Sequence, residues 1–307
     1  MGRYVFRDYD QAALDRAFDQ RVWAANADSV LEDCKARGAA VRESHAHHAG
    51  LRYGDHADER LDWFPAQRDK APIHLHIHGG AWRFLRKEDV SFAAPAFTSA
   101  GWHYVAPDFS ALPAAGLADL VGQLVRAVGW AYANAERFGA DKGQIYISGH
   151  SSGGHLCAAL LTTDWTRHGL PADVLKGGLC ISGIYDLEPV LLSARRAYVH
   201  LSEAEMRGLS PLRNTAALNC PVSIAYAHGD SPEFIRQARH FHDSVQARGG
   251  QSELLALPGI NHYEIIGELA RLALSCAALN PAHRPHPALR ASGRPMPIPM
   301  NRPRNDG

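Results

Sequence analysis

The segment GHSSGG, residues 149–154, lies between two apolar runs, QIYIS before it and HLCAALL after it. Glycines two residues before and two residues after Ser151 suit a tight turn from a strand into a helix, because larger side chains would collide there. A serine at the tip of such a turn has a strained backbone and an exposed hydroxyl. The pattern G-x-S-x-G also occurs by chance in simple connecting turns. The segment therefore predicts a nucleophilic serine, provided that the rest of the chain supplies its partners.

An aspartate and a histidine that occur later in the chain are suited to activate Ser151. His262, in PGINHYEIIGEL, follows the last predicted strand and is the candidate base, while Asp230, in AYAHGDSPEF, follows the preceding strand and is the candidate acid. The order serine, aspartate, histidine is that of α/β-hydrolases and differs from the chymotrypsin and subtilisin orders. Asp230 could instead be a turn residue and His262 a capping residue. Asp186 also ends a strand and is a second candidate for the acid.

The loop HIHGGAW, residues 76–82, follows an early strand and is the predicted source of oxyanion donors. Gly79 and Gly80 have no side chain that would prevent their amides from turning into a pocket. The residue after the nucleophile, Ser152, supplies the other expected backbone N–H group. An H-G-G loop upstream of G-x-S-x-G, with Asp and His following in order, is a specific combination for acyl transfer.

Three histidines in the same strand suggest a rival reading. His74, His76 and His78 alternate in IHLHIH, so they are expected on one face of a strand, and H-x-H pairs do bind metals. No carboxylate follows at the usual spacing, and three ligands on one buried strand lack a convergent fourth group. We therefore expect no metal and no cofactor, with His74 and His76 packed in the sheet and His78 shaping the oxyanion loop.

The overall composition is that of a globular protein. The chain has 307 residues, of which 46% are hydrophobic and 21% are charged. Lys plus Arg equals Asp plus Glu, 32 against 32, so no global field would attract nucleic acid or an anionic membrane. A small-molecule substrate fits this balance. The charged start, MGRYVFRDYD, lacks the apolar segment of a secretory signal, so the expected location is cytoplasmic.

Short apolar runs alternate with longer amphipathic ones, which predicts an α/β protein with a mostly parallel central sheet and helices on both faces. A helical pattern over residues 10–40 predicts an N-terminal helical arm. The expected organisation is an arm at 1–50, a hydrolase domain at 51–279 and a Pro/Arg-rich, disordered tail at 280–307. The predicted strands are PIHLHIH, HYVAPDF, QIYISGH, KGGLCISG, VSIAYAHGD and SELLALPG.

From about residue 8 to about residue 275 the chain resembles the α/β-hydrolase fold kynurenine formamidases (arylformamidases) and related esterases. The segment DSPEF, residues 230–234, discriminates best between these and other esterases with H-G-G loops. The other matching segments are YGDHADERLDWFPA, HGGAW, GHSSGGHLCAALLTTDW, ISGIYDLEPV and NHYEIIGEL. The resemblance implies an α/β-hydrolase fold and hydrolysis of an N-formyl aryl amide or a related amide or ester, without a cofactor. It implies Ser151 as nucleophile, Asp230 as acid and His262 as base.

The chain departs from the family pattern beside the oxyanion loop. Family members usually read H-G-G-Y-W, whereas this chain has Ala81 before Trp82, and Ser152 stands where alanine is usual. A smaller residue at 81 implies a roomier pocket, which leaves a short-chain carboxylesterase or lactonase open as an alternative. A non-catalytic binding protein is a further alternative, and the sequence does not reveal whether the chain forms a homodimer. Aromatic and small residues expected at the pocket rim are Trp82, Ala81, Phe109, Tyr185 and Trp165.

Overall fold

The central sheet of the protein, seen in a computed structural model that describes residues 3–277, has eight strands within those residues. The predicted tail at 280–307 lies outside the described residues. The order across the sheet is β1-β2-β4-β3-β5-β6-β7-β8. β2 is antiparallel to both of its neighbours, and all other pairs are parallel. The strands are β1 His48–Arg52, β2 Arg60–Phe64, β3 Ala71–Ile77, β4 His103–Pro107, β5 Ala140–His150, β6 Leu175–Ile181, β7 Val222–Gly229 and β8 Ser252–Asn261.

Helices cover both faces of this sheet. One hydrophobic cluster joins one face to α1, α4, α5 and α8, and a second joins the other face to α2, α3 and α9. This arrangement confirms the predicted α/β-hydrolase class. Within residues 3–277, no helix is both long and apolar enough to cross a membrane. The helices are α1 Gln11–Phe18, α2 Ala27–Ser44, α3 Ala94–Ser99, α4 Leu117–Asn134, α5 Ser152–Leu161, α6 Glu188–Leu192, α7 Glu203–Gly208, α8 Pro232–Gln246 and α9 Leu269–Ala277.

The six predicted strands correspond to β3 through β8, but the antiparallel pair β1 and β2 was not predicted. β1 reads HAGLR and is exposed or half-buried, so it shows no apolar pattern. β2 reads RLDWF, and its Asp62 is fully buried because Arg42 of α2 and the backbone N–H of Gly50 bind its carboxylate. The strand was missed because a charged residue, Asp62, interrupts its apolar pattern and is buried as part of an ion pair.

The segment predicted as one helical pattern contains two helices, α1 and α2, separated by the short 3₁₀ turn Gln20–Trp23. Asp10 caps α1 by accepting a hydrogen bond from the N–H of Ala13. Leu14 and Phe18 of α1 are buried in the same hydrophobic cluster as α8. α1 therefore packs against α8, and α2 packs against the 3₁₀ segment Lys87–Ala93.

Candidate active site

Ser151 occupies the tip of the turn between β5 and α5. Its φ of 56° and ψ of −120° are unusual for a residue with a side chain, and such a conformation costs about 1–3 kcal/mol. A hydrogen bond from its backbone N–H to the carbonyl of Ile181 (2.9 Å) helps to hold it. The flanking glycines are sterically required, because a Cβ at Gly149 would meet the carbonyl of Gly153, and a Cβ at Gly153 would meet the carbonyl of Ile77. Close backbone packing at the two glycines therefore holds Ser151 in its strained conformation.

A hydrogen-bonded chain joins Ser151, His262 and Asp230. His262 Nδ1 lies 2.6 Å from Asp230 Oδ1, and His262 Nε2 lies 2.9 Å from Ser151 Oγ. A carboxylate only accepts, so Nδ1 donates to Asp230, and Nε2 is then free to accept the serine proton. All three residues are buried. This geometry suits removal of the Ser151 proton by a neutral imidazole.

The carboxylate of Asp230 is held in place by two donors on its second oxygen. Ser182 Oγ donates to Asp230 Oδ2 (2.7 Å), and the backbone N–H of Ala227 donates to the same atom (2.9 Å). Asp186, the second candidate for the acid, instead forms an ion pair with Arg213 at 3.0 Å. The structure therefore brings Asp230, and not Asp186, to the histidine.

His150, directly before the serine, supports the loop of the base. Its Nε2 donates to the backbone carbonyl of His262 (2.7 Å). Burial lowers the pKa of His150 to about 3, with the neighbouring His262 also lowering it. His150 is therefore neutral at physiological pH and acts as a fixed hydrogen-bond donor rather than a charge. Sequence reasoning did not identify this role, since the residue directly before the serine in G-x-S-x-G is variable in the pattern.

The loop with Gly79 and Gly80 lies directly beside the serine. A Cβ at Gly79 would be 2.8 Å from the carbonyl oxygen of His150 and 3.3 Å from Ser151 Cβ. Gly80 has a φ of +99°, which glycine adopts without strain. The backbone N–H of Trp82 donates to Ser152 Oγ (3.1 Å), so the side chain of Ser152 links this loop to the elbow. The predicted oxyanion residues Gly79, Gly80 and Ser152 are thus adjacent to Ser151.

Two of the three alternating histidines share one serine hydroxyl, and the third is directed elsewhere. His74 Nε2 and His76 Nδ1 both bind Ser148 Oγ, at 2.6 and 2.8 Å. His78 lies beyond the end of β3, stacks on Phe109 and donates from Nδ1 to the carbonyl of Gly79 at 3.0 Å. Within residues 3–277 no group of three or more His, Cys, Asp or Glu side chains could hold a metal.

A cavity of about 630 Å³ opens at Ser151 and His262. Its wall is largely apolar, with a few charged side chains from the N-terminal segment, from the turn after α6 and from Asp89. Besides the catalytic candidates, the main wall residues are Phe18, Val30, Leu31, Ala81, Phe84, Leu85, Val90, Phe92, Arg195, Tyr198, Tyr263 and Ile266. Such a cavity fits a small aromatic or acyl substrate.

Of the residues predicted at the pocket rim, Ala81 lines the cavity, and the large aromatic ones do not. Trp82 is buried and donates from its indole Nε1 to His155 Nδ1 (3.3 Å). Phe109 stacks on His78, with ring centroids 4.3 Å apart, and Tyr185 stacks on Phe241 at 4.4 Å. Trp165 is likewise in the hydrophobic core. These residues lie near loops in the sequence, but their rings pack into the hydrophobic core and not into the cavity.

Residues of the N-terminal helices form hydrogen bonds beside Asp230 and His262, and the sequence analysis did not predict these contacts. Gln20 donates from Nε2 to Ser231 Oγ (2.9 Å), and its Oε1 accepts from the Ser231 N–H (3.1 Å). Asn26 donates to Glu264 Oε1 (2.8 Å) and accepts from Asn261 Nδ2 (2.7 Å). Ser231 and Asn261 are the immediate neighbours of Asp230 and His262. The arm therefore contacts the loops of both the acid and the base.

Known proteins share this architecture. A family model described as BD-FAE matches residues 62–176. The crystal structure of EstE1, a carboxylesterase cloned from a metagenomic library, superposes with a TM-score of 0.68 at 18% identity, covering 84% of this chain and 97% of that one. At this identity the similarity concerns the fold alone, which is that of the α/β-hydrolases.

Curated relatives are closer in sequence. The kynurenine formamidase of Salmo salar is 29% identical over 281 residues, covering 86% of this chain and 93% of the relative. The kynurenine formamidase of Danio rerio is 31% identical over 225 residues, covering 71% and 75%. Fold, site and relatives define a serine hydrolase that acts on amides or esters. Within that class, the chain belongs to the kynurenine formamidase family.

Proposed function

We propose that the protein hydrolyses an N-formyl aryl amide of the N-formylkynurenine type through Ser151, His262 and Asp230. The observation that carries this proposal is the hydrogen-bonded chain from Asp230 to Ser151 beside a largely apolar cavity. The kynurenine formamidase relatives support the choice of substrate class.

The reaction proceeds in two acyl-transfer steps. Ser151 Oγ attacks the formyl carbon while His262 Nε2 takes its proton, and N–H groups of Gly79 or Gly80 and Ser152 stabilise the oxyanion. Collapse of this intermediate breaks the C–N bond, and His262 returns the proton to the departing aryl amine. Water, deprotonated by His262, then attacks the formyl ester, which releases formate and restores the Ser151 hydroxyl. Asp230 orients the imidazole and stabilises its cationic form throughout.

The proposal is tested by comparing kcat/KM for N-formyl-L-kynurenine and p-nitrophenyl acetate in the native protein and in Ser151→Ala. We expect efficient deformylation that falls by about 10⁴-fold or more in the variant, because the nucleophile is lost. Ser210→Ala, a buried serine away from the triad, is the control for folding. Deformylation that persists in Ser151→Ala would contradict the mechanism.

A short-chain carboxylesterase or lactonase is the second candidate. The small Ala81 side chain lines the cavity beside Gly80, where the family usually has tyrosine, and the added space favours other acyl substrates. Fast, Ser151-dependent cleavage of p-nitrophenyl acetate with negligible deformylation would select this function. That result would support the proposed role of Ser151 and would reject the formamide substrate.

A further inference from the structure

A histidine and an aspartate outside the triad form a buried pair next to the oxyanion loop. His78 directly follows β3 and Asp108 directly follows β4, and these strands are parallel neighbours in the sheet. Both side chains are buried, and neither lines the cavity. His78 Nε2 lies 3.4 Å from Asp108 Oδ1. The proposed acyl-transfer steps assign no role to this pair.

Both ring nitrogens of His78 face oxygen acceptors. Nδ1 lies 3.0 Å from the carbonyl oxygen of Gly79, which can only accept, so Nδ1 carries a proton. Nε2 is buried and, within residues 3–277, has no other hydrogen-bond partner than the carboxylate of Asp108 that it faces. Without a proton on Nε2, its electron pair would be directed at a negative charge. An imidazolium, with a proton on each nitrogen, satisfies both contacts.

The carboxylate of Asp108 is fixed and ionised. Its Oδ1 accepts from the backbone N–H of Lys87 (2.8 Å), and Arg86 Nη1 lies 3.9 Å from its Oδ2. Burial acts to raise the pKa of this carboxyl, but His78 and the Lys87 N–H together hold the pKa below its ordinary range. The ring of His78 stacks on Phe109 with centroids 4.3 Å apart. The ion pair is therefore held on both of its sides.

One peptide group connects this pair to the oxyanion loop. The carbonyl of Gly79 and the N–H of Gly80 belong to the same trans peptide, so they point in opposite directions. By holding the carbonyl, His78 fixes the direction of the Gly80 N–H. Within residues 3–277 this N–H donates to no backbone acceptor, which is the state expected of a donor that serves an oxyanion.

We propose that His78 is cationic in the folded enzyme, that Asp108 maintains this charge, and that the two are positioning residues for the Gly80 N–H. A charged donor forms a stronger hydrogen bond than a neutral one, and it polarises the peptide so that the N–H becomes a better donor. The inference rests on the proposed function for the oxyanion that this N–H stabilises. It adds two residues that do not touch the substrate.

The charge of His78 is measured by ¹⁵N NMR of protein labelled at histidine. In an imidazolium both ring nitrogens carry protons and have similar shifts, whereas the shifts of a neutral ring differ widely. The His78 signals are those that disappear in His78→Asn. We expect an imidazolium in the native protein and a neutral ring in Asp108→Asn. A neutral His78 in the native protein would overturn the proposal.

The positioning role is measured by the binding of two ketones in isothermal titration calorimetry. Ser151 Oγ adds to the carbonyl carbon of 2,2,2-trifluoroacetophenone, the π pair moves to oxygen, and His262 takes the serine proton, so the adduct carries an oxyanion. Acetophenone has the same ring and forms no stable adduct. Asp108→Asn should weaken binding of the trifluoroketone by about 10-fold and leave that of acetophenone unchanged. The control, Asp58→Asn, removes another carboxylate near Arg86 (3.4 Å) and should alter neither.

Two variants of the histidine separate positioning from packing. His78→Ala should weaken trifluoroketone binding by about 100-fold, as for loss of an oxyanion donor, and His78→Asn, which keeps an uncharged donor near the Nδ1 position, should restore part of it. Equal losses for the two ketones, or unchanged trifluoroketone binding in Asp108→Asn, would overturn the proposal. Deformylation with a neutral His78 rejects this inference alone, whereas a cationic His78 with Asp108-dependent adduct binding and no deformylation rejects the formamide substrate alone.

Discussion

The Ser152 hydroxyl makes a contact that its usual family counterpart, alanine, cannot make. It accepts a hydrogen bond from the backbone N–H of Trp82, and both residues are buried. Trp82 itself and Ala81 before it have φ values of 60° and 55°. These left-handed conformations are unfavourable for residues with side chains. The hydroxyl thus holds a strained loop next to the nucleophile.

We expect Ser152→Ala to destabilise the protein by about 1–3 kcal/mol, because the Trp82 N–H would be left buried without a partner. The variant should also deformylate more slowly, since Gly79 and Gly80 belong to the same loop. Guanidinium chloride unfolding and kcat measure the two effects. Ser44→Ala on the exposed part of α2 is the control. An unchanged unfolding free energy in Ser152→Ala would mean that this hydrogen bond contributes nothing to stability.

At the scale of elements, the N-terminal helices connect the beginning of the chain to the loops that carry Asp230 and His262. The side chain of Asn26 lies at the start of α2 and binds Asn261 and Glu264, on either side of His262. Glu264 Oε2 in turn accepts from the N–H of Asn261 (2.9 Å). The loop that carries His262 is therefore hydrogen-bonded to a residue more than two hundred positions away.

Asn26→Ala should lower kcat by about 10-fold with little change in KM, because the imidazole would be less well oriented while the cavity stays intact. Steady-state kinetics with N-formyl-L-kynurenine, the proposed substrate, gives both constants. Asn219→Ala is a matched control, since Asn219 makes a single exposed hydrogen bond to the Ala172 carbonyl. Equal losses in the two variants, or a rise in KM alone, would argue against an orienting role for Asn26.

The strands of the parallel sheet and the order Ser151, Asp230, His262 were predictable from the sequence, because apolar runs and turn glycines have local patterns. The cavity wall was not. Phe18 and Arg195 reach it only through packing between segments distant in sequence, and no local pattern encodes such contacts. Tyr185 and Phe109 were misplaced for the opposite reason, since a local position beside a loop does not reveal which way a ring packs.

At the scale of the whole molecule, several histidines are buried in neutral form. Burial lowers the pKa of His74 and of His150 to about 3, and that of His103 and of His155 to about 4. In the unfolded chain their pKa is about 6.5. Because the folded-state values are lower, the unfolded state binds more protons below pH 6.5. The stability that these groups contribute is complete above that pH and is lost as the pH falls towards 3 or 4.

Between about pH 7 and pH 5, the free energy of unfolding should therefore fall by about 2 kcal/mol for each of the four histidines. The sum is comparable to the total stability of a typical domain, so we expect acid unfolding near pH 5. Denaturant unfolding as a function of pH measures the proton uptake. His155→Gln should reduce this uptake by about one proton. A stability that stays constant from pH 7 to pH 5 would contradict the argument.

The hydrogen bonds from Gln20 to Ser231 and from Asn26 to Glu264 span 211 and 238 residues of the chain. The first helices leave the ribosome early, but their partners are synthesised only when most of the chain has emerged. Until then Leu14 and Phe18 have no α8 on which to pack, so apolar surface stays exposed for most of translation. Closure of such distant segments is slow. The nascent chain should therefore gain its cavity late, after β8 and the wall residues that follow it, Tyr263 and Ile266, have emerged.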